Sequence, residues 1–165
     1  MKFQDLTKLI EQDESIFNPR RTDDRRERYN KIMNQSVQDY IKSGAFGNLL
    51  LSEEPITSLP SNLKKVGGHL SLHHTQIESL PEGLRVEGDL DVSSTPLKTL
   101  PKGLYVEGEL DIASTQIEEL PEDLDVRGGL SAYDTPLADK YTYNQIEDML
   151  PNLTGWVYTQ SISRI

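Results

Sequence analysis

A 20-residue period runs through the middle of this 165-residue chain. A similar segment that begins with Leu-Pro occurs at residues 80–92, again at 100–112 and a third time at 120–130. An earlier copy from residue 59 carries one extra residue, and a partial copy lies at 47–56. The recurring positions include Gly68, Gly88, Gly108 and Gly128, and Thr75, Thr95, Thr115 and Thr135. Units this short cannot bury an apolar face alone, so the period predicts a stack of neighbouring coils.

Each unit predicts one very short strand followed by an apolar return. Leu90 and Val92 share one face of such a strand, and stacking the strands in parallel buries a continuous apolar column. The Leu100-Pro101 pair disfavours helix at its first residue, so we expect an extended or polyproline-like return. The glycine before each strand permits either a positive-φ turn or a close approach between coils.

The pattern resembles the leucine-rich repeat family. The spacing Leu90-x-Val92-x-x-Thr95-x-Leu97-x-x-Leu100 matches L-x-L-x-x-N-x-L-x-x-L, recurs at 110–120, and recurs with one extra residue before it at 70–80. Unit length and Leu-Pro pairs are most similar to the short repeats of secreted bacterial effectors and phage-encoded proteins. Threonine stands where the family has asparagine, and its hydroxyl can still bond the turn backbone.

The resemblance implies an α/β solenoid, with short parallel β-strands stacked as a right-handed leucine-rich-repeat coil over residues 47–137. It also implies a phage-encoded protein that acts on a bacterial host component, or a bacterial effector-like protein.

Residues 1–46 predict a helical N-terminal cap or, alternatively, a separate functional module. The apolar spacing indicates two amphipathic helices, the second from about Thr22 to Ser43 and ending at Gly44. A cap is expected because a solenoid must cover its terminal apolar face.

Residues 138–165 predict a C-terminal helix–strand cap. The segment Thr142–Gln145 has the form of a capping box that opens a short helix through Met149. The segment 155–159 realigns with 128–132 if seven residues are inserted. We therefore expect a last strand there, at the edge of the sheet.

Alternation along the strands predicts which side chains lie on the concave face of the sheet. The first column reads Asn48, His69, Asp89, Glu109, Gly129 and Trp156. The second reads Leu50, Ser71, Asp91, Asp111, Ser131 and Tyr158. The third reads Ser52, His73, Ser93, Ala113 and Tyr133. The centre of the face thus holds an acidic patch, which consists of Asp89, Asp91, Glu109 and Asp111.

Stacked carboxylates repel one another unless a cation relieves them, so the acidic patch has two interpretations. Solvated acids can simply keep a flat sheet soluble. Alternatively, the patch is a docking site for the basic surface of a partner protein. In that case His69 and His73 belong to the site, and Tyr133, Trp156 and Tyr158 are aromatic anchors at one end of it.

The histidines do not predict a metal site. His69 is expected beside Asp89, but His69 and His73 lie about 13 Å apart along one strand. A tetrahedral site needs its ligands about 2 Å from the ion. A pH-sensitive edge of a binding surface and ordinary surface histidines remain as interpretations. We expect no metal and no cofactor.

Composition removes several function classes. The chain has no cysteine, so disulfides, thiolate metal sites and the catalytic cysteine of effector ubiquitin ligases are excluded. It has no G-x-S-x-G, phosphate-loop or H-E-x-x-H motif, so we expect no enzyme activity. It has no apolar run near 18 residues and no signal-peptide pattern, so we expect a cytoplasmic protein, in the producing or the host cell, with no membrane contact.

The sequence therefore predicts a non-enzymatic module that binds a partner protein through its acidic concave face. The alternative is an acidic mimic of nucleic acid that occupies a basic groove, since the net charge is −10. Direct nucleic-acid binding is not expected. The basic residues at 20–31 alternate with acids at i,i+4 spacing, as on a solvated helix face. The partner's identity and the oligomeric state stay open.

Overall fold

The computed structural model describes residues 22–159 and, within its first helix, the side chains from residue 29 onward. Helix α1 spans Thr22–Lys42 and leads into a β-solenoid of about four turns. One parallel sheet has six strands, β1 Leu49–Leu50, β3 Leu70–Ser71, β5 Leu90–Asp91, β7 Leu110–Asp111, β9 Leu130–Ser131 and β10 Val157–Tyr158. The other has four strands, β2 Lys65–Val66, β4 Arg85–Val86, β6 Tyr105–Val106 and β8 Asp125–Val126. Helices α2, Pro136–Lys140, and α3, Tyr143–Asp148, precede β10.

The six-stranded sheet has the register that the repeat predicts. One ladder position pairs Leu49, Leu70, Leu90, Leu110, Leu130 and Val157 in turn. The next pairs Leu50, Ser71, Asp91, Asp111, Ser131 and Tyr158. The realignment of Val157 with Leu130 across seven inserted residues is confirmed, because β10 pairs with β9.

The four-stranded sheet is a structural feature that the sequence analysis did not predict. The return was expected to be extended, and it is extended, but two residues of each return also form a parallel ladder with the next coil. Each of these strands has one buried valine beside one exposed or half-buried side chain, as in Arg85–Val86. A two-residue alternation is too short to signal a strand by itself, and only the neighbouring coil completes its hydrogen bonds.

The core lies between the two sheets as stacked apolar columns. The inward face of the six-stranded sheet contributes Leu49, Leu70, Leu90, Leu110 and Leu130, all fully buried. The facing column on the other sheet is Val66, Val86, Val106 and Val126. Because every coil supplies the same positions, the columns are continuous along the solenoid.

Helix α1 covers the first coil, and the prediction of a helix from Thr22 to Ser43 is confirmed. Met33 and Val37 are buried in the same core as the coils. The Tyr40 hydroxyl lies 2.9 Å from the Ala45 carbonyl oxygen and accepts from the Gly67 N–H at 3.3 Å. The first helix predicted from the sequence lies outside the described residues.

The threonine column holds the turns that follow the six-stranded sheet. Each hydroxyl is buried and donates to the carbonyl oxygen three residues earlier, at 2.7 Å from Thr75 to Leu72 and 2.6 Å from Thr115 to Ile112. This confirms that threonine bonds the turn backbone. The residue before each threonine has positive φ, for example Ser94 at 55°. The N–H groups of His74, Ser94 and Ser114 each donate to the next coil. The inter-coil hydrogen bond offsets the cost of the left-handed conformation at these non-glycine residues.

The glycines before the strands allow the coils to approach closely. Gly88 has no positive φ, and a Cβ atom there would lie 2.8 Å from the Gly68 carbonyl carbon. Of the two interpretations that the sequence permits, close approach is therefore the one that the structure adopts.

The C-terminal cap holds one helix more than predicted. The capping box at Thr142 and helix α3 are confirmed, with Gln145 bonding back to the Thr142 N–H. Helix α2 was not predicted, and it begins at Pro136, next to the last repeated threonine, Thr135, which is its N-cap. Proline is favoured in the first turn of a helix, and Pro136 occupies that position. The prolines of the Leu-Pro pairs lie instead in the extended returns. Between residues 22 and 159 there is no helix that is both long and apolar enough to cross a bilayer.

We expect Leu110→Asp to abolish cooperative unfolding, because it places an unpaired charge in a fully buried column. Leu50→Asp is the matched control, since Leu50 is 54% exposed on the opposite face of the same sheet. Thermal denaturation followed by circular dichroism measures both. A Leu110→Asp melting curve equal to that of the wild type would contradict the register.

We also expect Thr115→Val to lower the free energy of unfolding by about 1–3 kcal/mol, because it leaves the Ile112 carbonyl without its buried donor. Thr99→Val is the control. Thr99 is exposed, so its change is expected to stay within about 0.5 kcal/mol. Urea denaturation of the two variants checks this, and an unchanged Thr115→Val midpoint would show that the hydroxyl is dispensable.

Candidate functional site

The acidic patch lies at the centre of the exposed face of the six-stranded sheet. Asp91 and Asp111 are register partners on β5 and β7, and Asp89 and Glu109 directly precede those strands. Asp89 and Asp91 lie on one coil, and Glu109 and Asp111 lie on the next. Neighbouring strands are about 4.8 Å apart, so the four carboxyl groups lie close together. The structure therefore brings the four predicted acids together.

One oxygen of each aspartate is bound to the main chain. Asp89 Oδ1 accepts from the N–H of Glu109 at 2.8 Å, across to the next coil. Asp91 Oδ1 accepts from the N–H of Ser93 at 3.0 Å and from its hydroxyl at 2.7 Å. Asp111 Oδ1 accepts from the N–H of Ala113 at 2.9 Å. Sequence reasoning missed these bonds, although an Asp-x-Ser spacing is a known signal for a side-chain-to-backbone turn.

The second oxygen of two aspartates faces a histidine of the preceding coil. His69 Nδ1 lies 3.0 Å from Asp89 Oδ2, which confirms the expected neighbourhood of these residues. His73 Nδ1 lies 3.2 Å from Asp91 Oδ2 and 3.1 Å from the Ser71 hydroxyl. The two histidines therefore border the patch on the side of the first coil.

Burial and mutual repulsion raise the pKa of two of the four carboxyl groups. The pKa of Glu109 is raised by burial first and then by the charges of Asp111 and Asp89. The pKa of Asp111 is also raised by burial first, and the charge of Asp91 raises it further. The Ala113 N–H, the Ser131 hydroxyl and His73 lower it in part. The ionised patch therefore stores electrostatic free energy that a cation would release.

Aromatic side chains border the patch on the opposite side. Trp156 is 75% exposed, and Tyr158 and Tyr133 are also exposed. Tyr158 pairs in register with Ser131, which separates it from Asp111. Tyr133 thus lies on the coil next to the patch, and Trp156 and Tyr158 lie one coil further away. The histidines lie on the opposite side of the patch.

Two apolar side chains lie exposed at the other end of the solenoid. Leu50, in β1, is 54% exposed, as its place in the second predicted column implies. Phe46, which precedes β1, is 76% exposed. Phe46 precedes the first repeat and has no periodic position, so only the structure reveals it.

The four-stranded sheet shows how charges are arranged elsewhere on this protein. Arg85 stacks over the Tyr105 ring at 3.8 Å, and Lys65 pairs with Glu87 at 3.0 Å. Arg127 pairs with Asp125 at 3.0 Å. In the part of the chain with described side chains, the acidic patch has no lysine or arginine pair of this kind.

The described residues contain no group of three or more histidine and acidic side chains arranged to hold a metal ion. No family model, no curated protein and no solved structure matches this chain.

We expect the double variant Glu109→Gln, Asp111→Asn to be more stable than the wild type at pH 7. A raised pKa in the folded state means that the carboxyls stabilise the fold below their ordinary values of 4.5 and 3.8, and that this contribution is lost as pH rises through the raised values. The variant should therefore lose less stability than the wild type between about pH 4 and pH 7.

Glu119→Gln is the control of opposite sign for this experiment. Its carboxylate bonds to Lys140 at 2.7 Å, which lowers the pKa of Glu119, so its contribution is lost as pH falls. Melting temperature against pH measures all three proteins. A double variant that melts below the wild type at pH 7 would mean that charge repulsion in the patch is outweighed by bonds that the amides cannot make.

Proposed function

We propose that this protein is a non-catalytic binding module that takes the basic surface of a partner protein on its acidic patch. The observation that carries the proposal is the unbalanced charge of the patch. Four carboxyl groups lie on two adjacent coils of the six-stranded sheet, and the pKa values of Glu109 and Asp111 among them are raised. Charges at the other sheet are paired with one another, as Lys65 is with Glu87. A lysine or arginine from outside would relieve that repulsion.

The carboxylates are held in place before any partner arrives. Because Oδ1 of Asp89, Asp91 and Asp111 accepts main-chain N–H groups, each carboxyl group has a fixed orientation. Binding then requires little ordering of these side chains, and such preorganisation favours affinity. The scaffold below them is a continuous buried core, which adds rigidity.

Aromatic side chains next to the patch support a protein partner. Trp156, Tyr158 and Tyr133 are exposed on the same sheet, and such residues are enriched at the centres of protein interfaces. A partner with a basic segment beside an apolar one would fit both halves of this surface.

We place the protein, as part of the proposal, among leucine-rich repeat proteins of the short Leu-Pro type. The stacked parallel strands support this, and so does the threonine at each turn, which occupies the asparagine position of that pattern and bonds the turn backbone. A role as a phage-encoded or effector-like protein, acting in the cytoplasm of the producing or host cell on a host component, follows from the same resemblance.

Mimicry of nucleic acid is the competing outcome. Acids outside the patch, such as Glu82, Glu118 and Glu122, lie exposed on the returns, and a mimic would use them together with the patch. Such binding extends to many basic proteins and weakens strongly with salt.

The test compares two quadruple variants with equal charge. The site variant is Asp89→Asn, Asp91→Asn, Glu109→Gln and Asp111→Asn. The control variant replaces the exposed Glu78, Glu82, Glu118 and Glu122 by Gln, outside both sheets. Each removes four negative charges, so nonspecific attraction changes equally in both.

We expect affinity capture from bacterial lysate to retain one selective basic partner with the wild type and the control, and to lose it with the site variant. Affinity should fall at least about fourfold, since the site variant removes four exposed ion pairs that each contribute about 0.2–1 kcal/mol. Equal losses in both variants would indicate mimicry. A partner kept by the site variant would refute the assignment of the site.

A further inference from the structure

We propose that His69 and His73 form a pH switch that closes the acidic patch to basic partners as pH falls. The inference rests on the proposed function and assigns it a form of regulation. Its structural basis is that each histidine ring nitrogen faces the aspartate oxygen that the main chain leaves free. Protonated histidine and a partner's cation therefore compete for the same two oxygens.

In each aspartate, one carboxylate oxygen binds the main chain and the other faces a histidine, so a histidine and a partner's cation compete for that second oxygen. Oδ1 of Asp89 and Oδ1 of Asp91 are occupied by the main-chain N–H groups of Glu109 and Ser93. Oδ2 of Asp89 lies 3.0 Å from His69 Nδ1, and Oδ2 of Asp91 lies 3.2 Å from His73 Nδ1. An N–H on either ring nitrogen would point at the oxygen that a guanidinium would otherwise take.

The neutral rings have other hydrogen bonds, so the switch has two defined states. When Nδ1 carries no proton, His69 accepts from the Asp89 N–H at 3.0 Å. His73 Nδ1 can accept from the Ser71 hydroxyl, which also lies 2.6 Å from the Ser52 hydroxyl. On protonation each Nδ1 becomes a donor and turns to the carboxylate, and the Ser71 hydroxyl is free to donate to Ser52.

The surroundings of the two rings contain acids and one further histidine. The titratable groups that share this part of the face are Asp89, Asp91, Glu109, Asp111, Glu53 and His74. On the coil before them, Asn48 accepts from the His69 main-chain N–H and Ser52 lies 2.6 Å from the Ser71 hydroxyl, and both side chains are uncharged. Protonation of both rings adds two positive charges to a patch of four carboxyl groups.

His74 provides a matched control within the same turn. Its ring meets that of His73 edge to face at 5.5 Å between centroids, yet no carboxylate of the described side chains pairs with it. Replacing His74 removes a histidine from the same turn and leaves the contacts of His69 and His73 with their aspartates unchanged.

The experiment measures binding of a tetramethylrhodamine-labelled nona-arginine peptide at pH 7.5 and pH 5.5 by anisotropy. Arginine stays charged at both values, so any change belongs to the protein. The proteins are the wild type, the double variant His69→Gln, His73→Gln, and His74→Gln. Glutamine oxygen can still accept the Asp89 N–H but cannot take up charge. Circular dichroism at both pH values checks that each protein is folded.

We expect the wild type and His74→Gln to lose affinity about tenfold between pH 7.5 and 5.5, on the scale of two exposed ion pairs. The double variant should lose less than about threefold, with the remainder due to Glu109 and Asp111. A double variant with the full loss, or a wild type with none, overturns the switch but leaves the proposed function standing. A wild type that does not bind at pH 7.5 overturns the proposed function and the switch together.

Discussion

The main-chain hydrogen bonds between successive coils are the constraint on which the rest of the structure depends. Every coil must present its N–H and carbonyl groups to the next one at about 4.8 Å. That spacing leaves no room for a Cβ atom at Gly88 and requires a left-handed residue at Ser94, whose N–H continues the ladder through the turn. The Thr95 hydroxyl then satisfies the carbonyl oxygen inside the turn. Each recurring residue type serves this one geometry.

The same ladder turns a periodic sequence into columns of side chains, and the surface properties follow from that. Two acids on consecutive coils become neighbours at strand spacing, as Asp91 and Asp111 do. The repulsion is tolerated because burial of the leucine and valine columns provides far more stability than the carboxylates remove. The features that distinguish this protein lie where the period is broken, at the histidines of one coil and at Trp156 after the insertion.

Prediction from sequence succeeded where a signal repeats and failed where it occurs once or spans only two residues. The register, the α1 helix and the capping box at Thr142 follow from spacing or from a known local motif, and the structure confirms them. The four-stranded sheet was missed because Arg85–Val86 is too short to carry a period. Helix α2 was missed because a proline such as Pro136 favours the first turn of a helix but disfavours helix elsewhere, and the sequence alone did not show which case applies.

The sequence by itself determined that coils of 20 residues stack in parallel, that leucines at one position form a buried column, and which side chains share the exposed face. It could do so because strand alternation and a constant period leave only one set of neighbours. The tertiary structure decided what those neighbours do. It set which oxygen of Asp89 binds the main chain and which faces His69, and it placed the patch between histidines and aromatics. Those choices depend on hydrogen-bond directions between residues 20 positions apart, and no local pattern encodes them.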